Sequence, residues 1–203
     1  MKLYIIRHGE TDWNIVRRLQ GRSNTKLNDR GRELARITGK ALRNVPFTRC
    51  YSSPLDRAME TAQILLENRN IPIIPDDRLC EIGFGIYEGL ICSKKNYEIP
   101  DPEFMYFFSA SEKYHCPEGG ESLEQLCTRT TAFLRELAEN PEFEEETILI
   151  TTHGAALRGL LSSIQMEDLS QFWKGGVYKN CSVTILEAHK GQVRLLEANK
   201  TWY

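Results

Sequence analysis

The sequence predicts an α/β fold: a three-layer sandwich with a mostly parallel central sheet, helices on both faces and one antiparallel edge strand. Three observations predict it. Short apolar runs rich in β-branched and aromatic residues alternate with segments of helical period. Two of these runs, at 2–7 and 148–152, stop at a histidine followed by glycine, which reads as strand ends turning into connecting loops. Near the end of the chain, SVTILEA and QVRLLEA flank His189-Lys190-Gly191 as a hairpin at one sheet edge.

Taken in order, the first strand is Lys2 to Arg7. A helix starts after Asn28 or Asp29, with Asn28 able to cap it and Leu34, Thr38, Ala41 and Leu42 on one stripe. The second strand is Arg49 to Ser52. Ser53 followed by Pro54 reads as N-cap and first helical residue, and Leu55, Ala58, Ala62 and Leu65 continue that helix at three- and four-residue steps. Ile71 to Ile74 is a short strand, followed by the glycine-rich EIGFGIYEG; residues 85–121 show no clear period. Another helix spans Ser122 to about Asn140, with Leu123, Leu126, Thr130, Phe133 and Leu137 inward and Pro141 beyond its end. The strand ILITT follows, and Gly154 opens GAALRGLLSSI.

Composition bounds the function. The 203 residues fit one domain, 1–203, with an irregular helical insertion at about 85–121 placed as a lid. Hydrophobic residues make up 41% and charged residues 27%, a globular balance. Lys and Arg total 26 against 28 Asp and Glu, so charge gives no case for nucleic acid or an anionic membrane as partner. The apolar run before Arg7 is too short for a signal peptide or a membrane span. The six cysteines stand singly, which reads as reduced thiols in a cytoplasmic protein. A homodimer is compatible with all of this.

The chemistry lies at the carboxyl ends of the strands, where open α/β sheets keep their ligand crevice. Arg7-His8-Gly9-Glu10-Thr11 ends the first strand and His153-Gly154 ends the strand at 148–152. Arg57 falls in the first turn of the helix after the second strand, beside Ser52-Ser53. Each such residue alone is more often structural, since a histidine after a strand usually packs and a first-turn arginine is usually solvated. The coincidence carries the reading, because the chain has only four histidines and two of them occupy matching contexts. Two arginines and two histidines suit a phosphate monoester, whose dianion needs cationic donors and whose phosphorus accepts attack by neutral imidazole. Glu81, before the EIGFG turn, is the acid placed to protonate the leaving oxygen.

RHGETDWN at 7–14 resembles the signature of the histidine phosphatase superfamily, the phosphoglycerate mutase-like clan. SSPLDRAMETA, LCEIGFGIYEG, PEGGES, ILITTHGAALRGLL and NCSVT resemble its later blocks in order, over nearly the whole chain. The resemblance implies a phosphoglycerate mutase-like fold and a role for each matched residue. His8 would form a phosphohistidine, and Arg7, Arg57 and His153 would hold the phosphoryl oxygens. Asn14, Gln20, Gly21 and Gly154 would add substrate contacts, and Glu81 would be general acid and then base. It implies no cofactor and no metal. After Gln20-Gly21 the chain departs from the usual Asp and Pro-Leu-Thr, having Asn24, Lys26, Leu27 and Asn28, which puts that loop's substrate contacts in question.

Three other readings compete. A metal hydrolase could use His8, Glu10, Asp12 and His153, against which the adjacent arginines would repel a cation. A non-catalytic sensor of phosphorylated ligands would be expected to lack a catalytic residue, and none is missing. A phosphoglycerate mutase would carry arginines after the catalytic Glu. Residues 85–121 instead hold Lys94, Lys95 and Lys113 against seven acidic residues, which reads as an acidic lid unsuited to a bisphosphorylated cofactor. Seven aromatic residues in the segment read either as core packing or as a lid presenting rings to a nucleoside-like alcohol such as that of alpha-ribazole phosphate. Arg17, Arg18, Arg22 and Lys26, with no acid among residues 15–26, leave room for a second anion on the substrate.

Overall fold

The structure is a computed structural model that describes residues 1–203. Its elements are β1 (Lys2–Arg7), α1 (Asp12–Ile15), α2 (Asp29–Ala41), β2 (Arg49–Ser52), α3 (Asp56–Leu65) and β3 (Ile73–Pro75), then α4 (Tyr106–Ser109), α5 (Leu123–Glu139), β4 (Thr147–Thr152), α6 (Gly154–Gln165), β5 (Val183–His189) and β6 (Gln192–Lys200). The sheet order is β3-β2-β4-β1-β5-β6. Strands β3, β2, β4 and β1 run parallel, and β5 is antiparallel to both β1 and β6. The reversed strand therefore lies one position in from the edge, and β6, pointing the same way as β1, forms the edge itself.

Strand alternation sets the layers. Leu3 and Ile5 of β1 and Ile148 and Ile150 of β4 face a core built with Phe133, Leu134 and Leu137 of α5 and Leu157, Leu160 and Leu161 of α6. Ile6 and Leu149 point to the opposite face, with Leu42, Ala62 and Leu65 on the α2 and α3 side. Each fully buried side chain of this kind contributes roughly 1.5–3 kcal/mol. Helix α6 is buried at every residue from Gly154 to Leu161, so it is fixed on all sides where it begins. No helix is long and apolar enough to cross a membrane.

The predicted capping residues bear different burdens. Asn28 accepts from Gly31 N at 2.7 Å, and Ser122 forms a reciprocal capping box with Gln125. Ser53 does not cap: α3 begins at Asp56 with Leu55 in the cap position and no side-chain cap. The β3 strand covers Ile73–Pro75 rather than Ile71–Ile74, because it pairs with only Cys50–Ser52 of β2. The segment at 85–121 has short 3-10 turns and the single-turn α4, without a continuous helix. Of its aromatic residues, Phe104, Phe107 and Tyr114 are buried with Phe84 and Phe172 in a second core, and Phe107 and Phe108 line a cavity.

Candidate active site

The carboxyl ends of β1, β2 and β4 open into a cavity of about 490 Å³. Arg7, His8, Asn14, Gln20, Gly21, Arg57, Glu81 and Gly154 all line it. His153 lies behind His8, with ring centroids 5.1 Å apart, and is fully buried. The structure thus brings together all nine residues singled out from the sequence. Glu10 does not join them: its carboxylate accepts from Asn28 Nδ2 at 3.1 Å, at the head of α2. Asp12, in the first turn of α1, is likewise absent from the cavity wall. No group of three His, Cys, Asp or Glu side chains forms a metal-holding set.

His8 is fixed from several directions. Its backbone N–H donates to Thr152 O at 2.9 Å, tying the loop to β4. Its Nδ1 lies 2.7 Å from Gly9 O, and because a carbonyl only accepts, Nδ1 carries the proton. In the neutral ring, Nε2 then holds a lone pair. Burial, reinforced by the Arg57 and Arg7 guanidinium groups, holds this imidazole well below the usual histidine range. Burial and Arg57 do the same to His153. The result is a neutral imidazole in a cationic frame.

Gly9 has a role other than the expected tight turn with an amide free for an anion. Its N–H donates to Thr61 Oγ1 at 3.0 Å, and a Cβ on it would meet Gly31 O at 2.7 Å. The glycine allows the catalytic loop to lie backbone to backbone against α2.

The arginines are anchored by their own outer nitrogens. Arg57, fully buried, donates from Nη2 to Gly21 O at 2.7 Å and from Nη1 to Ser23 O at 2.8 Å, so the Gln20–Thr25 loop aims it. Desolvation by burial, partly offset by Glu81, pulls its guanidinium down to about 10. Arg7 donates from Nη1 to Tyr178 O. Arg7 Nε, Arg57 Nε and His153 Nδ1 are buried without a hydrogen-bond partner in the chain. The two guanidinium N–H groups are unmet buried donors, which are costly, and a bound oxyanion is the kind of partner that relieves them.

Glu81 is the only carboxylate on the cavity wall. Its oxygens accept from Ile82 N at 3.0 Å, Ala156 N at 2.9 Å and Ala155 N at 3.2 Å, which seats it on the first turn of α6.

Several contributors were not foreseen. The Ser53 hydroxyl lies 2.7 Å from His153 Nε2, which explains why it does not cap α3. Asn180 Nδ2 donates to His8 O at 3.0 Å and approaches Asn14 Oδ1 at 3.4 Å; its signal was the NCSVT block. Trp13, Trp173 and Val177 line the cavity with Phe84, Met105, Phe107 and Phe108. Trp173 Nε1 donates to Phe107 O at 2.5 Å, joining the loop after α6 to the lid, and no sequence period marked this.

The acidic-lid reading is corrected. Among the charged residues of 85–121, only Lys94 lines the cavity. Glu88 accepts from the backbone N–H groups of Arg22, Ser23 and Phe84, and Glu121 pairs with Arg129 and Arg22. The acids brace the lid from outside, so the cavity itself is basic.

The histidine phosphatase superfamily (branch 1) matches residues 3–201. Among curated proteins, phosphoserine phosphatase 1 of Hydrogenobacter thermophilus is 29% identical over 99% of this chain and 93% of its own length. Phosphoglycerate mutase-like protein 4 of Arabidopsis thaliana is 34% identical over 78% of this chain and 69% of its own. Among solved structures, Bacillus stearothermophilus YhfR superposes with a TM-score of 0.90 at 34% identity, covering 99% of this chain and 98% of that one.

Proposed function

This chain belongs to the histidine phosphatase superfamily, and from that premise we propose that it hydrolyses small phosphate monoesters, without a metal ion, through a phosphohistidine at His8. It is a phosphoric monoester hydrolase; the proposal concerns its chemistry and substrates. The observation that carries it is the neutral, buried His8, with Nδ1 tied to Gly9 O and Nε2 left as the nucleophilic atom between Arg7, Arg57 and His153.

In the first step His8 Nε2 attacks phosphorus in line, the bond to the ester oxygen breaks, and Glu81 gives its proton to the departing alkoxide. Arg7, Arg57 and His153 offer donors to the equatorial oxygens, where charge spreads in the transition state. The Asn14 carbonyl oxygen already accepts from Thr11, which leaves its NH2 for the substrate. In the second step water attacks the phosphohistidine, Glu81 takes its proton, and phosphate leaves with His8 neutral again. The aromatic wall suits an alcohol with a flat apolar face, and a nucleoside-like alcohol such as that of alpha-ribazole phosphate is one of this class.

The test is to quench turnover with a radiolabelled monoester and assay for an acid-labile, base-stable phosphoprotein. The wild type should trap label; His8→Ala should trap none and lose several orders of magnitude in kcat. Inactivation by a chelator alone would overturn the metal-free mechanism. A second reading, phosphoryl transfer between hydroxyls of a phosphorylated acid as in a phosphoglycerate mutase, is favoured by the basic cavity. Formation of an isomerised phosphoacid in place of inorganic phosphate would establish it.

A further inference from the structure

We propose that Arg158 and Lys174 form a second oxyanion site, separate from the catalytic cavity, that takes a phosphoryl or sulfo group. The site stands independently of the phosphatase reading.

It lies behind the catalytic wall. From Trp173 to Tyr178 the chain is a partition: Trp173 and Val177 line the catalytic cavity, whereas Lys174, Gly175 and Tyr178 line another of about 220 Å³. A further cavity of about 370 Å³ shares Arg158, Gln165, Lys174 and Gly175 with the latter. No residue of these two lines the catalytic cavity.

Arg158, on α6, is the anchor. It is only 8% exposed, lies 4.7 Å over the Tyr178 ring and donates from Nη2 to Gly176 O, which fixes its guanidinium. Its Nε is buried without a partner. An unmet buried guanidinium donor is costly, and the planar fork matches the oxygens of a phosphate or sulfate group. Lys174 adds a second charge; it is exposed and takes part in no ion pair. No carboxylate lines either cavity, so the chain does not neutralise the two cations there. The acids of the adjoining segments are engaged elsewhere, Asp168 accepting from Ser170 N and Glu197 pairing with Lys200.

The rest of the lining suits the same ligand. Asn199 Oδ1 accepts from Lys179 N at 2.9 Å, which leaves its NH2 to donate into the smaller cavity. Gln165 and Gln171 supply further amides. Leu161 and Met166 give the larger cavity an apolar side, which leaves room for an organic body carrying the anionic group.

The experiment is equilibrium dialysis of the purified protein against radiolabelled sulfate at low ionic strength, where exposed charges are least screened. The measured quantity is the uptake of the wild type minus that of Lys174→Glu, so that sulfate held in the catalytic cavity cancels. One equivalent per chain is expected. Lys174→Gln should weaken its binding roughly 1.5- to 5-fold, as for an exposed ion pair. Arg158→Lys, which keeps the charge and loses the fork, should weaken it roughly ten- to hundredfold. Displacement of this equivalent by unlabelled phenylphosphonate more readily than by inorganic phosphate identifies a group carried on an organic body, and the reverse order identifies the free ion. Because Lys174 is exposed, its variants test the site even if Arg158→Lys fails to fold. Equal uptake by the wild type and Lys174→Glu overturns the proposal, any further sulfate then being an adventitious ion only.

Discussion

Glu81 stands alone as the carboxylate of the cavity, held by three backbone N–H groups, so in the proposed mechanism the proton movements of both steps would converge on one side chain. Glu81→Gln should bind phosphate almost normally, since Arg7, Arg57 and His153 remain. It should slow cleavage of alkyl phosphates strongly, by about 10²–10⁴-fold, because their alkoxides must be protonated as they leave. With nitrophenyl phosphate, whose leaving group needs little protonation, stopped-flow measurement should show a burst of nitrophenol followed by slow turnover. Equal slowing of the burst for both kinds of ester would mean that Glu81 only shapes the pocket. Glu10 could not then take over without rearrangement, since it is turned toward Asn28. At this scale the sequence was legible where a residue's chemistry matched its motif, as for His8, Arg57 and Glu81. It misled at Ser53, whose hydroxyl had two possible uses. A Ser-Pro pair before an apolar-periodic run signals a cap, and only the fold brings His153 within 2.7 Å of that hydroxyl.

Between elements, the β1–α1 loop meets the start of α2 backbone to backbone. A Cβ on Gly31 would fall 2.1 Å from Glu10 O, and one on Gly9 would fall 2.7 Å from Gly31 O. Gly31→Ala is therefore a test in which two effects oppose each other. Helix propensity favours alanine by up to about 1 kcal/mol, whereas backbone displacement costs roughly 1–3 kcal/mol or more. The clash is with backbone and should win: urea denaturation should show net destabilisation, and kcat should fall because the loop carrying His8 must shift. A more stable and fully active variant would mean that the junction is loose. Elements with a long period and a cap, such as α2 and α5, were legible to within a residue or two. The lid was not, because its short turns are held by tertiary contacts. Counting its charges also misjudged the cavity, since a sum along the chain carries no direction and Glu88 and Glu121 point away.

For the whole molecule, the buried histidines link stability to pH. An unfolded histidine takes up a proton near pH 6.5, while His8 and His153 stay neutral in the fold to well below that value. Below pH 6.5 the unfolded state thus binds more protons, and stability falls with pH by up to about 1.4 kcal/mol per unit for each histidine. Their contribution is fully present above pH 6.5. Thermal unfolding between pH 7.5 and 5.5 should show the midpoint dropping on the acid side, and His8→Asn should make the fall shallower. An unchanged slope in that variant would indicate that His8 charges freely in the folded protein.

The sheet order has a consequence for how the protein is made. Strand β4 lies between β2 and β1, although it follows both by some hundred residues. While a ribosome has delivered only the first 146 residues, β1 has neither of its neighbours and β2 has only β3. His8, Arg57 and Glu81 have then all been synthesised, yet the strand that sets β1 beside β2 is still missing. Translation of residues 147–152 supplies the central strand, and the next residues supply His153 and the helix that seats Glu81. The nascent chain therefore carries His8 outside any finished pocket until well past three quarters of the polypeptide has been made, since Trp173 and Val177 of the wall, Tyr178, which anchors Arg7, and Asn180, which holds His8 O, are added after the central strand.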